Sequence, residues 1–244
     1  KEKELFYSSL YRSMQWPALR SDYNGEFTDA QGTVQNKGFR YYTNPSLWDT
    51  YRNKLVVLSL LAPEVTGDII QSLIDKGTHS GFMPTFFHGD HAAPFVTQAY
   101  GKGITNFDVK KAYELLLNNA YKEGGTRPHI AEYIEKGFIS DPDVENPHVE
   151  TKAKAGVSKT LEYAYDDHSL SLLAKALQDQ DHASELAERA KNYKKDSYTS
   201  SLIKEGKNKI AQKVGEESIE LLVDYLGGSK RRTIEEASDL IYHL

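Results

Sequence analysis

Glu216, Glu217 and Glu220 stand three and four residues apart, and Glu236 and Asp239 repeat the three-residue step, so on helices each set would share one face. Two such faces brought together make an oxygen-rich cage of the kind that hard divalent cations such as magnesium prefer. A cation held there can bridge phosphate oxygens and polarise a water for attack on a pyrophosphate linkage. Lys213, just before the first cluster, suits a phosphate contact. Lys230, Arg231 and Arg232 are further cations, although a basic cluster after Gly227 and Gly228 equally fits a solvated helix start. The acids, too, equally fit a solvated helical face.

A second constellation lies near the other end, in the string Leu47-Trp48-Asp49-Thr50-Tyr51-Arg52. An indole offers a flat apolar face to a pyranose ring, and an adjacent carboxylate can accept hydrogen bonds from two vicinal hydroxyls. Trp48 and Asp49 fit those roles. They also fit a half-buried Trp that anchors a helix, with Asp49 paired to Arg52 three residues on. Asp90 and His91 precede an apolar helical segment, where substrate contact and helix capping are both open to them. Asp166 and Asp167 fall within a long helical pattern.

Composition narrows the chemistry. The 244 residues carry 30 Lys and Arg against 35 Asp and Glu, a formal net charge of −5, which removes any strong electrostatic case for nucleic acid or an anionic membrane. The excess of acid is spread over both ends: residues 196–244 hold seven basic against nine acidic side chains, and residues 1–195 hold 23 against 26. With no cysteine, disulfides, thiolate nucleophiles and Cys-ligated metals are excluded, leaving carboxylate, imidazole and hydroxyl chemistry. No apolar run reaches the roughly 18 residues of a membrane span. The chain opens on Lys-Glu-Lys-Glu inside a helical pattern, without Met or a signal-like apolar stretch, which reads as a processing boundary.

These groups must be positioned by a succession of helices. Periodicity predicts a helix over residues 4–14, an Asn24-Gly25 turn, and a short hairpin reaching Tyr42. Ser46 is placed to cap a helix running through residues 47–52 into the apolar stretch 55–62, and Pro63 to open another that Gly77 would stop. Further helical pairs fall at 92–101 with 107–121 and at 157–177 with 182–193, separated by a Pro- and Gly-rich stretch, 124–147, around one short helix at 130–136. Residues 191–201 read as continuous helix. Paired helices with long intervening loops suggest an α/α toroid, since each pair buries one stripe against its neighbours.

Several of these segments carry a family resemblance. Phe6-Tyr7, Ser21-Asp22-x-Asn24-Gly25, the 42–52 string, Gly89-Asp90-His91-Ala92 and Leu161-Glu162-Tyr163-Ala164-Tyr165-Asp166-Asp167 resemble, in order, segments of glycoside hydrolase family 92. The resemblance implies a calcium-dependent, inverting exo-α-mannosidase, whose helical toroid packs on an N-terminal β-sandwich, with Trp48, Asp49, Asp90 and His91 as substrate-binding residues for a mannose-containing glycan. The family usually has Trp where this chain has His168. Such an enzyme needs an acid and a base about 6.5–9.5 Å apart. The family's Glu-Gly-Asn acid segment, its Asn-Glu-Pro-Ser-His segment near the calcium and its Asp-rich base motif do not occur in this sequence, so no catalytic residue is assigned and no mannosidase activity is expected.

From Asp196 the pattern changes. Ser197-Tyr198-Thr199, Lys209-Ile210-x-Gln212-Lys213-Val214-Gly215-Glu216-Glu217 and Glu236-Ala237-x-Asp239-Leu240 resemble phosphoribosyl-ATP pyrophosphohydrolase of histidine biosynthesis. That resemblance implies magnesium on Glu216, Glu217, Glu220, Glu236 and Asp239, phosphoribosyl-ATP as substrate, and a helical bundle completed by dimerisation. The expectation is therefore an all-α chain: a partial α/α toroid over residues 1–195, then part of an all-α nucleotide pyrophosphohydrolase bundle over 196–244, a chimera of two partial hydrolases. Either fold would need missing domain regions or a second subunit. The first resemblance implies a periplasmic or secreted location and the second a cytoplasmic one.

Overall fold

The computed structural model describes residues 1–29, 32–140, 156–191, 207–227, 229 and 232–233. The chain divides into two compact units, Lys1–Asn192 and Tyr193–Leu244.

The first unit is mostly helical. It begins with α1 (Glu2–Met14), which buries none of its residues. An antiparallel hairpin follows, β1 (Phe27–Thr28) with β2 (Val34–Gln35), in the register Phe27 to Gln35 and Thr28 to Val34. Next come α2 (Leu47–Thr50), α3 (Lys54–Leu61) and α4 (Pro63–Ser80). Then follow α5 (Ala92–Gly101), α6 (Val109–Tyr121), α7 (Ile130–Lys136), α8 (Gly156–Ala176) and α9 (Gln180–Arg189).

The helix anticipated from Ser46 through the apolar stretch is broken in two. Ser46 makes no side-chain cap bond, whereas the Asn53 side chain accepts from the Lys54 backbone N–H and starts α3 afresh. A helix interior tolerates such a break poorly unless a new cap satisfies the freed N–H groups, which Asn53 does. Pro63 stands at the first turn of α4 as anticipated. Gly77 does not stop this helix. Gly81 does, with a φ of 80° that L side chains rarely adopt. Asp108 and Asp179 cap α6 and α9 by accepting from the backbone N–H groups of Lys111 and His182.

The core is a continuous apolar cluster drawn from α2 through α6, α8 and α9, including Leu47, Leu55, Ile70, Leu73, Phe95, Leu115, Leu116, Leu170 and Leu186. Each such burial is worth about 1.5–3 kcal/mol. Helix α8 packs against both α5 and α9, and α4 against α3 and α6. A smaller cluster of Ile130, Tyr133, Ile139 and Tyr163 seats α7 beside α8.

In the second unit, α10 (Lys207–Gly227) carries an apolar face that stays open: Ile219, Leu222, Val223 and Leu226 are 64%, 59%, 63% and 82% exposed. Past its end, Arg232 Nε lies 3.4 Å from Asp224. The helix anticipated at 191–201 falls, from residue 192 on, outside the described residues. No helix among the described residues is long and apolar enough to cross a membrane.

Candidate functional site

Helix α8 carries Glu162 and Asp166 four residues apart on one face, and Tyr163 and Asp167 on the next. The first pair closes on His91. Its Nδ1 lies 2.9 Å from Asp166 Oδ1, and its Nε2 lies 2.9 Å from Glu162 Oε2, an ion-pair contact whose angle falls short of a hydrogen bond. The backbone N–H of Asp90 donates to the other Asp166 oxygen at 2.6 Å. A carboxylate at each ring nitrogen favours the doubly protonated imidazole. Burial would lower the His91 pKa, but the two carboxylates outweigh it and push it up to about 9. The Glu162 carboxyl, raised by burial, is brought below its ordinary value by His91 and by the Trp48 indole.

The second pair on α8 belongs to a buried ion-pair network. Arg127 Nε donates to Asp90 Oδ2 at 3.0 Å and its Nη1 to Asp167 Oδ1 at 2.6 Å. Arg189, from the last turn of α9, donates twice to Asp167, at 2.6 and 2.9 Å. Asn119 of α6 completes the shell of Asp90 at 3.0 Å and ties it to the backbone of Met83. Burial pushes the Asp90 carboxyl up, and Arg127 opposes that shift. Asp90, His91, Asp166 and Asp167 are all at 0% exposure.

Glu162 links this interior to the surface. Its Oε1 accepts from Trp48 Nε1 at 3.0 Å, which fixes the indole. Tyr51, in the turn between α2 and α3, stacks on the His91 ring with centroids 4.1 Å apart and planes 19° apart. Gly89 makes the approach possible. At φ 66° it occupies the left-handed region, and a Cβ there would meet the His91 ring at 3.0 Å and Glu162 at 3.1 Å. Phe87 also has a positive φ, 70°, a costly conformation for a bulky side chain, and it holds its ring 5.9 Å from Trp48 with His88 at 5.6 Å.

Asp49 does not pair with Arg52. The guanidinium lies over the rings of Tyr51, at 4.7 Å, and Trp48, at 5.8 Å. The Asp49 carboxylate is exposed, and no side-chain hydrogen bond or ion pair engages it among the described residues. Of the anticipated sugar-binding residues, then, Asp49 is exposed and Trp48 half-buried, whereas Asp90 and His91 are buried with protein partners on their polar atoms.

Of the anticipated magnesium ligands, Glu216 and Glu220 lie on α10. Gln212 Nε2 donates to Glu216 at 2.7 Å, and Glu220 is exposed. The side chains of Glu217 and Lys213, and all of Glu236 and Asp239, lie outside the described residues, as do Lys230 and Arg231. Among the described residues no group of three or more His, Asp or Glu side chains is placed to hold a metal ion. In the first unit the buried carboxylates already face Arg127, Arg189 and His91, so the described residues do not fit a calcium site.

Sequence reasoning does not single out Glu162, Arg127, Arg189 or Phe87. For Glu162 the four-residue step to Asp166 is an available signal. Arg127 offers none, because it sits in a loop 37 and 40 residues away from the carboxylates it joins.

Comparison with known proteins finds two kinds of relative, and the first extends past Asn192, the end of the first unit. The glycosyl hydrolase family 92 catalytic domain matches residues 1–213. A family GH92 α-mannosidase from Bacteroides thetaiotaomicron is similar at 31% identity and a TM-score of 0.66, over 78% of this chain and 26% of that structure. A family GH92 inverting mannosidase from the same organism is similar at 29% identity and a TM-score of 0.65, over 80% of this chain and 28% of that structure. A phosphoribosyl-ATP pyrophosphatase of Sulfolobus acidocaldarius is 54% identical over 59 residues, 24% of this chain and 62% of that protein. The histidine biosynthesis bifunctional protein HisIE of Bacteroides thetaiotaomicron is 54% identical over 48 residues, 20% of this chain and 24% of that protein. The chain thus spans about a quarter of the mannosidase structures and less than two thirds of the pyrophosphatase.

Proposed function

Through residues 1–213 the chain belongs to glycosyl hydrolase family 92, and we propose that it presents a mannose-binding surface at Trp48 and Asp49, from the architecture of an inverting α-mannosidase. One observation carries this reading: the indole is pinned by Glu162 at 3.0 Å while the neighbouring Asp49 carboxylate is left exposed without a protein partner among the described residues. A fixed aromatic face beside an uncommitted acceptor suits a pyranose with vicinal hydroxyls. Asp90, His91 and Asp166 serve as positioning residues, since His91 meets Glu162 and Tyr51 while Asp166 holds His91 and the Asp90 backbone N–H.

This assignment gives the chain sugar binding without turnover. Supporting it, the described carboxylates near the surface site are Glu162, already bound to Trp48 and His91, and Asp49, and a lone free carboxylate is half of the acid and base pair that inversion requires. Titration of mannose into the purified chain, with and without calcium, tests the reading. Binding lost in Trp48→Ala, with no mannose released from an α-mannoside, is the expected result. Release of mannose, or binding indifferent to Trp48, would overturn it.

A second reading attaches to the pyrophosphatase-like segment and rests on its 54% identity over 59 residues. Glu216, Glu217, Glu220, Glu236 and Asp239 would hold magnesium, which neutralises phosphate charge when bound, and Lys213 would contact phosphate. Magnesium-dependent hydrolysis of phosphoribosyl-ATP, abolished in Glu217→Gln, is the test of this reading. Its absence in the wild-type chain would remove it.

A further inference from the structure

A pocket of 440 Å³ adjoins the Trp48 site, lined by Trp16, Arg20, Tyr41, Asn44, Lys76 and Phe86 among others. Phe86 faces this pocket, and its neighbour Phe87 flanks Trp48. The ammonium of Lys76 is held in place. It donates to the Tyr42 carbonyl at 2.6 Å and to Asn44 Oδ1 at 2.7 Å, and lies 5.0 Å from the Tyr41 ring centroid. Arg20 is steadied by a 3.0 Å bond from its Nη2 to the Thr28 carbonyl.

Neither cation has an ion-pair partner among the described residues. The nearby carboxylate of Asp75 is already engaged by Lys37. An ammonium has three donors, so Lys76 retains one beyond its two protein bonds. Burial, and then the charge of Arg20, lower the Lys76 pKa to about 8, and the nearby Asp75 carboxylate offsets only part of that shift. The opposite walls are aromatic, with Trp16 44% and Phe86 42% exposed. Two cations without an ion-pair partner among the described residues, an amide and ring faces, in a space suited to one small ligand, define a specific chemistry.

We propose that this pocket binds a sugar residue bearing an acidic substituent, phosphate or carboxylate, with Lys76 and Arg20 on the anion and Trp16 and Phe86 against the ring. The site is separate from the mannose contact at Trp48, and it extends recognition from a neutral sugar to a charged glycan. Charge-assisted hydrogen bonds supply the preference for the anion, and added salt weakens it.

The test is titration of the full chain at low ionic strength with mannose 6-phosphate, galacturonate, inorganic phosphate and mannose, repeated in Arg20→Gln, Lys76→Met and Trp48→Ala. At least one acidic sugar should bind about tenfold more tightly than mannose or inorganic phosphate, and which of the two does so identifies the substituent. Arg20→Gln should remove that preference, while Trp48→Ala should leave it. Because Lys76 ties Tyr42 and Asn44 together, Lys76→Met can unfold the chain. Arg20 is exposed, so its variant keeps the test decisive. Acidic sugars bound no better than mannose, inorganic phosphate bound as tightly as the sugar phosphate, or a preference surviving Arg20→Gln would each overturn the proposal. If acidic sugars bind and mannose does not, the Trp48 reading fails and this one stands.

Discussion

Tyr51 stacks on His91 with ring centroids 4.1 Å apart, and this contact joins the turn between α2 and α3 to the carboxylates of α8. The imidazole therefore supports the surface site and serves as counter-ion to Asp166 and Glu162. Removing it should leave buried negative charge uncompensated, which costs about 3–5 kcal/mol when one partner of a buried pair is lost. His91→Phe, which keeps a ring for Tyr51 and discards the charge, should lower stability by that amount in urea denaturation. A loss below about 1 kcal/mol would show that the ring and not its charge matters.

The same residue sets a pH dependence. Its folded pKa, about 9, lies above the ordinary value of 6.5, so its contribution to stability is fully present below pH 6.5 and is lost as pH rises through 9. Glu162 acts oppositely: its folded pKa is held below the ordinary 4.5, so its contribution is present above that value and lost as pH falls. Thermal midpoints measured from pH 5 to 10 should fall across the upper window. His91→Gln should flatten that fall, and an unchanged slope in the variant would assign the loss to other groups.

Asp49 should separate binding from folding. With its carboxylate exposed and free of partners among the described residues, Asp49→Asn should change stability by no more than about 0.5 kcal/mol. Mannose binding should nonetheless weaken severalfold, because an amide oxygen accepts less strongly than a carboxylate. Calorimetric unfolding and sugar titration of the same sample check both halves of the expectation.

The open face of α10 leads to a different outcome. Ile219, Leu222, Val223 and Leu226 remain 59–82% exposed, so the helix lacks the burial that normally offsets ordering. A peptide of residues 196–244 should show no cooperative thermal transition by circular dichroism at micromolar concentration. A sharp, concentration-independent melt would mean that the unit completes its own core.

Local chemistry made much of the fold legible. The helices from 92 to 121 and from 156 to 176 follow from apolar periodicity, and Pro63 marked the first turn of α4 as its fixed φ requires. Asp49 lies exposed beside a half-buried Trp48, which fits the anticipated sugar contact and equally the anticipated Trp that anchors its helix. The partners of Asp90 and Asp167 were not legible, because Arg127 and Arg189 reach them only through tertiary packing across 22 to 40 residues. The break at Asn53 was hidden by the apolar run that continues past it, where one side-chain cap decided the matter.

Gly77 shows how one residue type can support opposite readings. As a helix stop it would need a left-handed backbone, but it lies inside α4, and a Cβ there would meet the Phe82 carbonyl oxygen at 2.7 Å and Leu115 Cδ1 at 2.9 Å. Close approach of α4 to α6 and to the chain after Gly81 is what requires glycine. Gly77→Ala must therefore move backbone, and overpacking of that kind costs about 1–3 kcal/mol despite the better helix propensity of Ala. Gly81→Ala meets no atom within 4 Å, so its cost comes from the φ of 80° alone, about 1–2 kcal/mol. The two combine differently with Leu115→Ala, which removes the side chain that the methyl added by Gly77→Ala would strike while leaving the Phe82 carbonyl in place. That change should relieve part of the Gly77→Ala penalty and none of the Gly81→Ala penalty. Equal additivity in both double mutants, measured by urea denaturation, would show that the close approach at Gly77 is not what destabilises the variant.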